Sequence, residues 1–429
     1  MAKNNPFKIS YILIIGLFLR LVLLIISKWH PDLNNHIDWG VRFLTLGPKN
    51  FYENIFWGVS WPNQPLGSMI LFASMAFLKN IIFDFILFLN NTFTFFPSFI
   101  IPFIEANIHG WAVKIPFILS DIGLAFLIYK IVQEFKPKLA YLAACLFLFN
   151  PSLIYNSTIW GQTDSLINFL AIAGIYLTFK KKYFWGIFLF LSGFLFKLSL
   201  IIYIPIFGLM LLKRIKDWKS FILPIISFFI FILLLAIPFK LEGFNPLQWL
   251  WYMYTNRVLV RQGSMLNGNA FNLWFLLFGL DFSKSEFTRF LGLTYQFWSR
   301  LLLFVFLLPV CIKFIKSKLT LTSLFTALLL TAFGSFIFLT NMHERYLYPI
   351  FPVLSVLIFL PNPKFNIKSI VVLSIIHLIN LYNLWFYPLF TPFKELLITS
   401  NFIFCRILSF ILIIICLNYL VRYLKSEKT

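Results

Sequence analysis

Asn341-Met342-His343-Glu344-Arg345-Tyr346 sets a base, an acid and a cation side by side between two runs that otherwise read as membrane helix. The Arg345 guanidinium offers a planar fork of donors that matches phosphate oxygens, His343 can donate as well, and Glu344 can orient the guanidinium. Charges at mid-membrane cost about 2.5 to 3.5 kcal/mol each on insertion scales, so such groups usually face a water-filled cavity or a ligand. The competing reading is a boundary cluster reaching into lipid headgroups. Three adjacent ionisable residues between spans favour the phosphate site.

Other polar residues could join it. Asp38, in His36-Ile37-Asp38-Trp39, could take a proton from an attacking hydroxyl, and Trp39 offers a ring to a sugar or lipid. An Asx turn leading into a helix is the plainer reading of Asp38, and Asp32 competes for the same role. In Trp160-Gly161-Gln162-Thr163-Asp164-Ser165, Asp164 and Ser165 can cap a helix. Gly161 and Gln162 are harder to dismiss: a glycine admits close backbone approach, and a buried amide needs partners. Lys114 and Asp121 share one helix face, where they could serve the site or neutralise other helices. Lys197 interrupts a long apolar run, and Arg257 and Arg261 lie in a long loop, so Lys197 and Arg257 are further phosphate candidates. Arg20 either reaches back to the interface or points into the site.

The chain lacks a P-loop, a nucleophile elbow, a zinc signature and an Asp-x-Asp pair, so neither a metal site nor a cofactor is expected. Cys145, Cys311, Cys405 and Cys416 lie far apart in apolar runs and suggest no disulfide framework.

Sixty per cent of residues are hydrophobic, 12% are charged, and Phe occurs 57 times in 429 positions, which excludes a soluble domain. The net charge of +21 does not point to nucleic acid, because its cations sit in short clusters between apolar runs. Runs of spanning or near-spanning length start near residues 8, 114, 138, 164, 183, 198, 220, 297, 320, 346, 368 and 398. The expectation is an all-α polytopic bundle of about 12 transmembrane helices in one domain, 1–429. Basic clusters on every second connection place both termini in the cytoplasm. Two long extracytoplasmic loops result, 29–113 and 240–296. The first holds an apolar stretch from Leu66 to Phe103 that reads as interfacial helices, with a hairpin of two spans as runner-up.

Taken in order, these stretches resemble the GT-C membrane glycosyltransferases. The resemblance rests on Asp38-Trp39, Gly47-Pro48-Lys49-Asn50-Phe51-Tyr52, Trp61-Pro62-Asn63-Gln64-Pro65-Leu66-Gly67, Lys114 to Asp121, Trp160 to Ser165, Asn269 to Trp274, and Met342 to Tyr346. Most similar are prokaryotic mannosyltransferases related to the second mannosyltransferase of GPI-anchor assembly. Gln64 departs from the pattern, standing where relatives often have the first proline of a Tyr-Pro-Pro-Gly-like turn. The resemblance implies transfer of a hexose, mannose favoured and glucose possible, from a polyprenyl-phosphate-linked sugar to a glycan, lipid or protein acceptor. It puts the catalytic base at Asp38 and the chemistry on the extracytoplasmic face. The richness in Lys, Ile and Phe fits an AT-rich prokaryotic genome, hence a plasma membrane. A flippase or exporter of lipid-linked sugars is the competing class, though internal symmetry of the kind many carriers show is missing.

Overall fold

Long apolar runs become long helices here, and polar caps mark the breaks between them. The computed structural model describes residues 6–27, 30–49, 51–54, 58–260, 264–361 and 365–425. The chain opens with α1 (Pro6–Ile26), the short amphipathic α2 (Leu33–Leu46), α3 (Leu66–Thr92) and α4 (Ile101–Gln133). Next come α5 (Ala140–Leu148) and α6 (Pro151–Ile154), which runs into a π-helical turn over Tyr155–Trp160. In the following pair, α7 (Asp164–Phe179) and α8 (Tyr183–Ser192), Gly174 lets the backbones meet; a Cβ there would lie 2.6 Å from the Gly186 carbonyl oxygen. Then follow α9 (Ile204–Arg214), α10 (Trp218–Ala236), α11 (Pro246–Met253) and α12 (Leu273–Phe278). A small antiparallel ribbon, β1 (Arg289–Phe290) with β2 (Leu293–Thr294), leads into α13 (Tyr295–Lys316) and α14 (Leu321–Phe338). The chain closes with α15 (Ile350–Leu357), α16 (Ile367–Tyr382) and α17 (Thr391–Lys425), the last broken by left-handed residues at Ser400, Asn401 and Phe402.

The protein is an all-α, multi-pass membrane protein. Among the described residues seven helices are long and apolar enough to cross a bilayer, or eight if the segments Pro137–Leu148 and Pro151–Trp160, bent by 48°, form one span. The expected set of about twelve therefore resolves into long helices and shorter apolar pieces such as Asp164–Phe179, Tyr183–Leu195 and Ile367–Tyr382. Composition cannot separate one broken run from two spans. At Asn150-Pro151 the proline interrupts helical hydrogen bonding, and the Asn150 side chain caps the new helix by accepting from Ser152 N at 3.0 Å. The stretch from Leu66, expected as interfacial helices, is one 27-residue helix of spanning length and composition. No glycine or proline follows Gly67 until Pro97, and Lys79 and Asp84 alone do not break a helix.

Two cores position the site. The larger surrounds α14, which is buried nearly all round from Leu324 to Ile337, as its apolar circumference requires. The smaller ties α2 to α3 and α11 through Leu33, Trp39, Phe72, Phe239 and Trp249. At one end of the molecule basic side chains cap helix ends whose last carbonyls would otherwise lack partners. Lys213 Nζ donates to Phe314 O (2.8 Å), Arg214 to Phe179 O (2.7 Å), and Lys313 to Leu424 O (3.0 Å), while Lys180 pairs with Glu134 at 2.6 Å. Basic residues of several clusters, Lys180, Lys213, Arg214 and Lys313 among them, thus gather at one end, and the unusual polar residues lie toward the other.

Candidate functional site

Asp32, immediately ahead of α2, is the centre of the polar end. Its Oδ2 accepts from Gln162 Nε2 at 2.8 Å and from the Trp160 indole N–H at 3.1 Å, and its Oδ1 accepts from Asn35 Nδ2 at 3.2 Å. Both Trp160 and Gln162 are delivered by the π-helical turn, a local widening that recurs at functional sites. The turn stops at Gly161, whose φ of +84° suits glycine, and Asn156 O then accepts from the backbone N–H of both Gly161 and Gln162 at 3.0 Å. A side chain at position 161 would also collide: its Cβ would sit 2.8 Å from Leu33 Cδ1 and 3.0 Å from Lys114 Cγ.

The 341–345 stretch is held by its neighbours on both sides. Asn341 N donates to Leu266 O (2.9 Å) and Gly268 N to Met342 O (3.0 Å), so the long second loop lies extended against it. Asn269 occupies a left-handed conformation (φ 77°), which asparagine tolerates, and its amide reaches Asn383 O (2.9 Å) and Glu344 Oε2 (3.3 Å). Asn380 and Asn383 return bonds to Asn269, each at 2.6 Å. Glu344 in turn accepts from Arg345 Nη1 at 3.1 Å. The Arg345 guanidinium lies over the Trp160 ring at 5.5 Å, and its buried Nε has no partner among the described residues. From α7 and the turn before α9, Asp164 and Lys197 meet at 2.8 Å, with Lys197 also over Tyr346.

These groups line a cavity of about 640 Å³ that Asp32, Asp164, Lys197, His343 and Arg345 share with apolar residues. Its apolar side includes Ile201, Leu259 and Phe282, all largely exposed on the flank of the bundle. A second cavity, of about 750 Å³, adjoins it; Asp32 and Trp385 line both. The second is lined by Asn34, Asn35, Asn54, Glu53 and Arg257, beside Trp61.

Burial alone would raise the Asp32 carboxyl, but Arg345, the nearby His36 and His30, and the Trp160 bond hold it below the usual carboxylate value. Burial, with Arg345 and Lys197 adding repulsion, pushes His343 down to about 3. His343 is thus a neutral imidazole at pH 7, so the donation expected of it is a hydrogen bond without a charge.

Several sequence expectations change. Asp38 does not line either cavity; it faces Arg42 one turn on, at 2.7 Å, with its side chain 28% exposed. Helix geometry explains the displacement: Asp38 sits in the second turn of α2 on the face away from Asp32, where i,i+4 pairing with Arg42 is available. Trp39 is buried core, donating to Ser60 O at 2.8 Å. Arg257 lines the polar cavity and not the phosphate candidate's, paired with Glu53 at 2.9 Å. Arg261 lies outside the described residues. Lys114 is buried beneath Gly161, behind the cavity wall. Asp121 is also out of the cavity: Arg20 pairs with it at 3.1 Å, and Tyr348 and Ser157 donate to it at 2.8 and 2.6 Å. Arg20 therefore takes neither of its two expected places. Gln162, Asp164, Lys197, His343, Glu344 and Arg345 do converge.

Sequence reasoning underweighted Asp32 and passed over Trp385 and Asn35. The only signal for Asp32 was an acid just past the first apolar helix. Among the described residues no group of three or more His, Cys, Asp or Glu converges as a metal site. No protein-family profile matches the chain, and no curated protein matches it either.

Proposed function

We propose that this protein is a membrane glycosyltransferase that moves a hexose from a polyprenyl-phosphate donor to an acceptor hydroxyl, with Asp32 as general base. The observation that carries this reading is Asp32's position as the shared wall of two cavities, one lined by Lys197 and Arg345 with an apolar flank, the other by amides and tryptophans. The donor's isoprenoid tail lies along Ile201 and Leu259 and its phosphate meets the unfilled donors of Arg345 and Lys197. The acceptor hydroxyl approaches from the polar cavity.

In the reaction the acceptor oxygen attacks the anomeric carbon while its proton passes to Asp32. The bond from that carbon to the phosphate oxygen breaks, with inversion, and polyprenyl phosphate departs. Oδ2 already accepts two bonds, so Oδ1, with the single longer contact from Asn35, is the oxygen with capacity for the proton. Fixed cations at the phosphate stabilise the charge that develops there. A monophosphate leaving group needs less neutralisation than a pyrophosphate, which suits a site built on Arg345 and Lys197. Mannose is favoured as the sugar, glucose being the alternative, by the resemblance to GT-C mannosyltransferases. The basic end faces the cytoplasm with both termini, and the cavities open on the extracytoplasmic side, by the positive-inside rule.

The test uses protein reconstituted in vesicles with radiolabelled polyprenyl-phosphate mannose or glucose and an acceptor extract. Release of polyprenyl phosphate coupled to labelled product, lost in Asp32→Asn, supports the transferase. Movement of intact lipid-linked sugar between leaflets without release would make the protein a carrier.

A further inference from the structure

A third cavity, of about 610 Å³, lies between α8, α9 and α10, lined by none of the residues of the two cavities just described. Its walls are almost wholly apolar, with Phe190, Phe207, Leu211, Phe221 and Ile225 among them. Gly208 forms part of the lining, and a Cβ there would meet nothing within 4 Å, so the missing side chain keeps the groove open. The volume is within the range of ligand sites. Leu212, Ile204 and Phe221 are exposed along it, so the groove faces sideways, toward lipid.

One end carries all of its charge. Lys216, Asp217 and Trp218 line the mouth, where α9 has ended and α10 begins. α9 starts two residues after Ile202 of the first cavity, so the mouth lies at the other end of this 11-residue helix, about 16 Å along its axis from the Ile202 end. Nearby charges differ in their engagement. Lys213 and Arg214 are held by helix-end carbonyls, and Asp217 caps α10 by accepting from Lys219 N (3.2 Å) and Ser220 N (3.1 Å). Lys216 and Lys219 are both exposed and donate no side-chain hydrogen bond among the described residues, although Lys219, through its backbone N–H first and its charge last, helps hold the Asp217 carboxyl below its usual value. Tyr183 Oη donates to Arg214 O at 3.3 Å, which brings the turn carrying Lys181 and Lys182 to the same end. An exposed Trp218 beside these lysines matches the aromatic girdle of a membrane interface.

We propose that this groove is a binding site for one anionic phospholipid of the leaflet at the basic end. An acyl chain fills the space over Gly208, and the phosphate lies at Lys216 in the mouth, next to Lys219, whose backbone N–H bonds the Asp217 of that mouth. Charge complementarity selects the occupant: a neutral or zwitterionic lipid would fill the groove but, without net negative charge, gain less from the exposed lysines. The site is independent of the transferase reading, since it uses none of the same residues.

The test is native mass spectrometry of the full chain in detergent, titrated with phosphatidylglycerol or phosphatidylcholine. The wild type should hold one phosphatidylglycerol through delipidation, in preference to phosphatidylcholine. Lys216→Gln and Lys219→Gln, both at exposed positions, should each lower its retention about fivefold. Gly208→Leu, which fills the groove, should lower retention of both lipids, with helicity followed by circular dichroism. Equal retention of the two lipids by the wild type, or unchanged preference in the lysine variants, overturns the proposal whatever Gly208→Leu does.

Discussion

Gln162 Nε2 donates to Asp32 Oδ2 at 2.8 Å, joining two residues 130 positions apart. The bond ties the end of the π-helical turn to the head of α2. It leaves the other carboxylate oxygen with only the Asn35 contact, on a residue that lines both cavities.

That geometry separates Asp32 from Asp38. In the release assay, Asp32→Asn should lower turnover about 10³-fold, as expected for loss of a general base. Asp38→Asn removes only a partly exposed ion pair and should stay within about threefold of wild type. The opposite ranking would return the base to Asp38.

Arg345 is expected to act through its fork as well as its charge. Arg345→Lys keeps the cation but gives up paired donation to a phosphate, so kcat should drop about 100-fold with correct folding retained. Lys197→Ala should cost less, about tenfold, and Lys197→Arg should recover part of that. Steady-state kinetics on the lipid-linked donor gives both values; an Arg345→Lys enzyme with wild-type kcat would remove Arg345 from the phosphate.

The Arg20 to Asp121 pair is fully buried, and Tyr348 links it to the segment bearing Arg345. Arg20→Met leaves a buried carboxylate without its cation and should destabilise the protein by about 3 to 5 kcal/mol. Replacing both partners, as Arg20→Met with Asp121→Leu, should recover most of that. Thermal unfolding in detergent, followed by tryptophan fluorescence, tests the pair; equal Tm for the single and double variants would show that charge burial is not the cause.

The pH dependence has a definite sign. His343 and His30 are held at about 3 and His36 at about 4, each mainly by burial, against 6.5 in an unfolded chain. Below pH 6.5 the unfolded chain takes up protons that the native state refuses, so stability is full above that pH and is lost as pH falls from 6.5 toward 4. The depressed Asp32 carboxyl acts in the same direction at still lower pH. Tm should therefore fall on acidification across this window, and less steeply in His36→Gln. Because Asp32 stays ionised, kcat/KM should remain flat from about pH 5.5 to 8. A rate rising through pH 6 to 7 would place the base on a histidine.

Composition and patterning determined the class: 57 phenylalanines, long apolar runs and short basic clusters leave a helical multi-pass membrane protein as the only economical reading. They also singled out Gln162, Asp164, Lys197, Glu344 and Arg345, because a lone charge or amide beside an apolar run needs a partner, and that need shows in one dimension. The structure decided which partner each one found. Asp32 and Asp38 look alike in the sequence, six positions apart; one precedes α2 and becomes a wall of both cavities, while the other, in the second turn of α2, becomes a partly exposed ion pair with Arg42. Arg20 and Asp121, 101 positions apart, could not be matched from spacing at all. Nor could the number of spans, since hydropathy sums over a run while a proline or a cap breaks it at one residue. Local chemistry is written along the chain, but burial and pairing are properties of neighbours that only folding supplies.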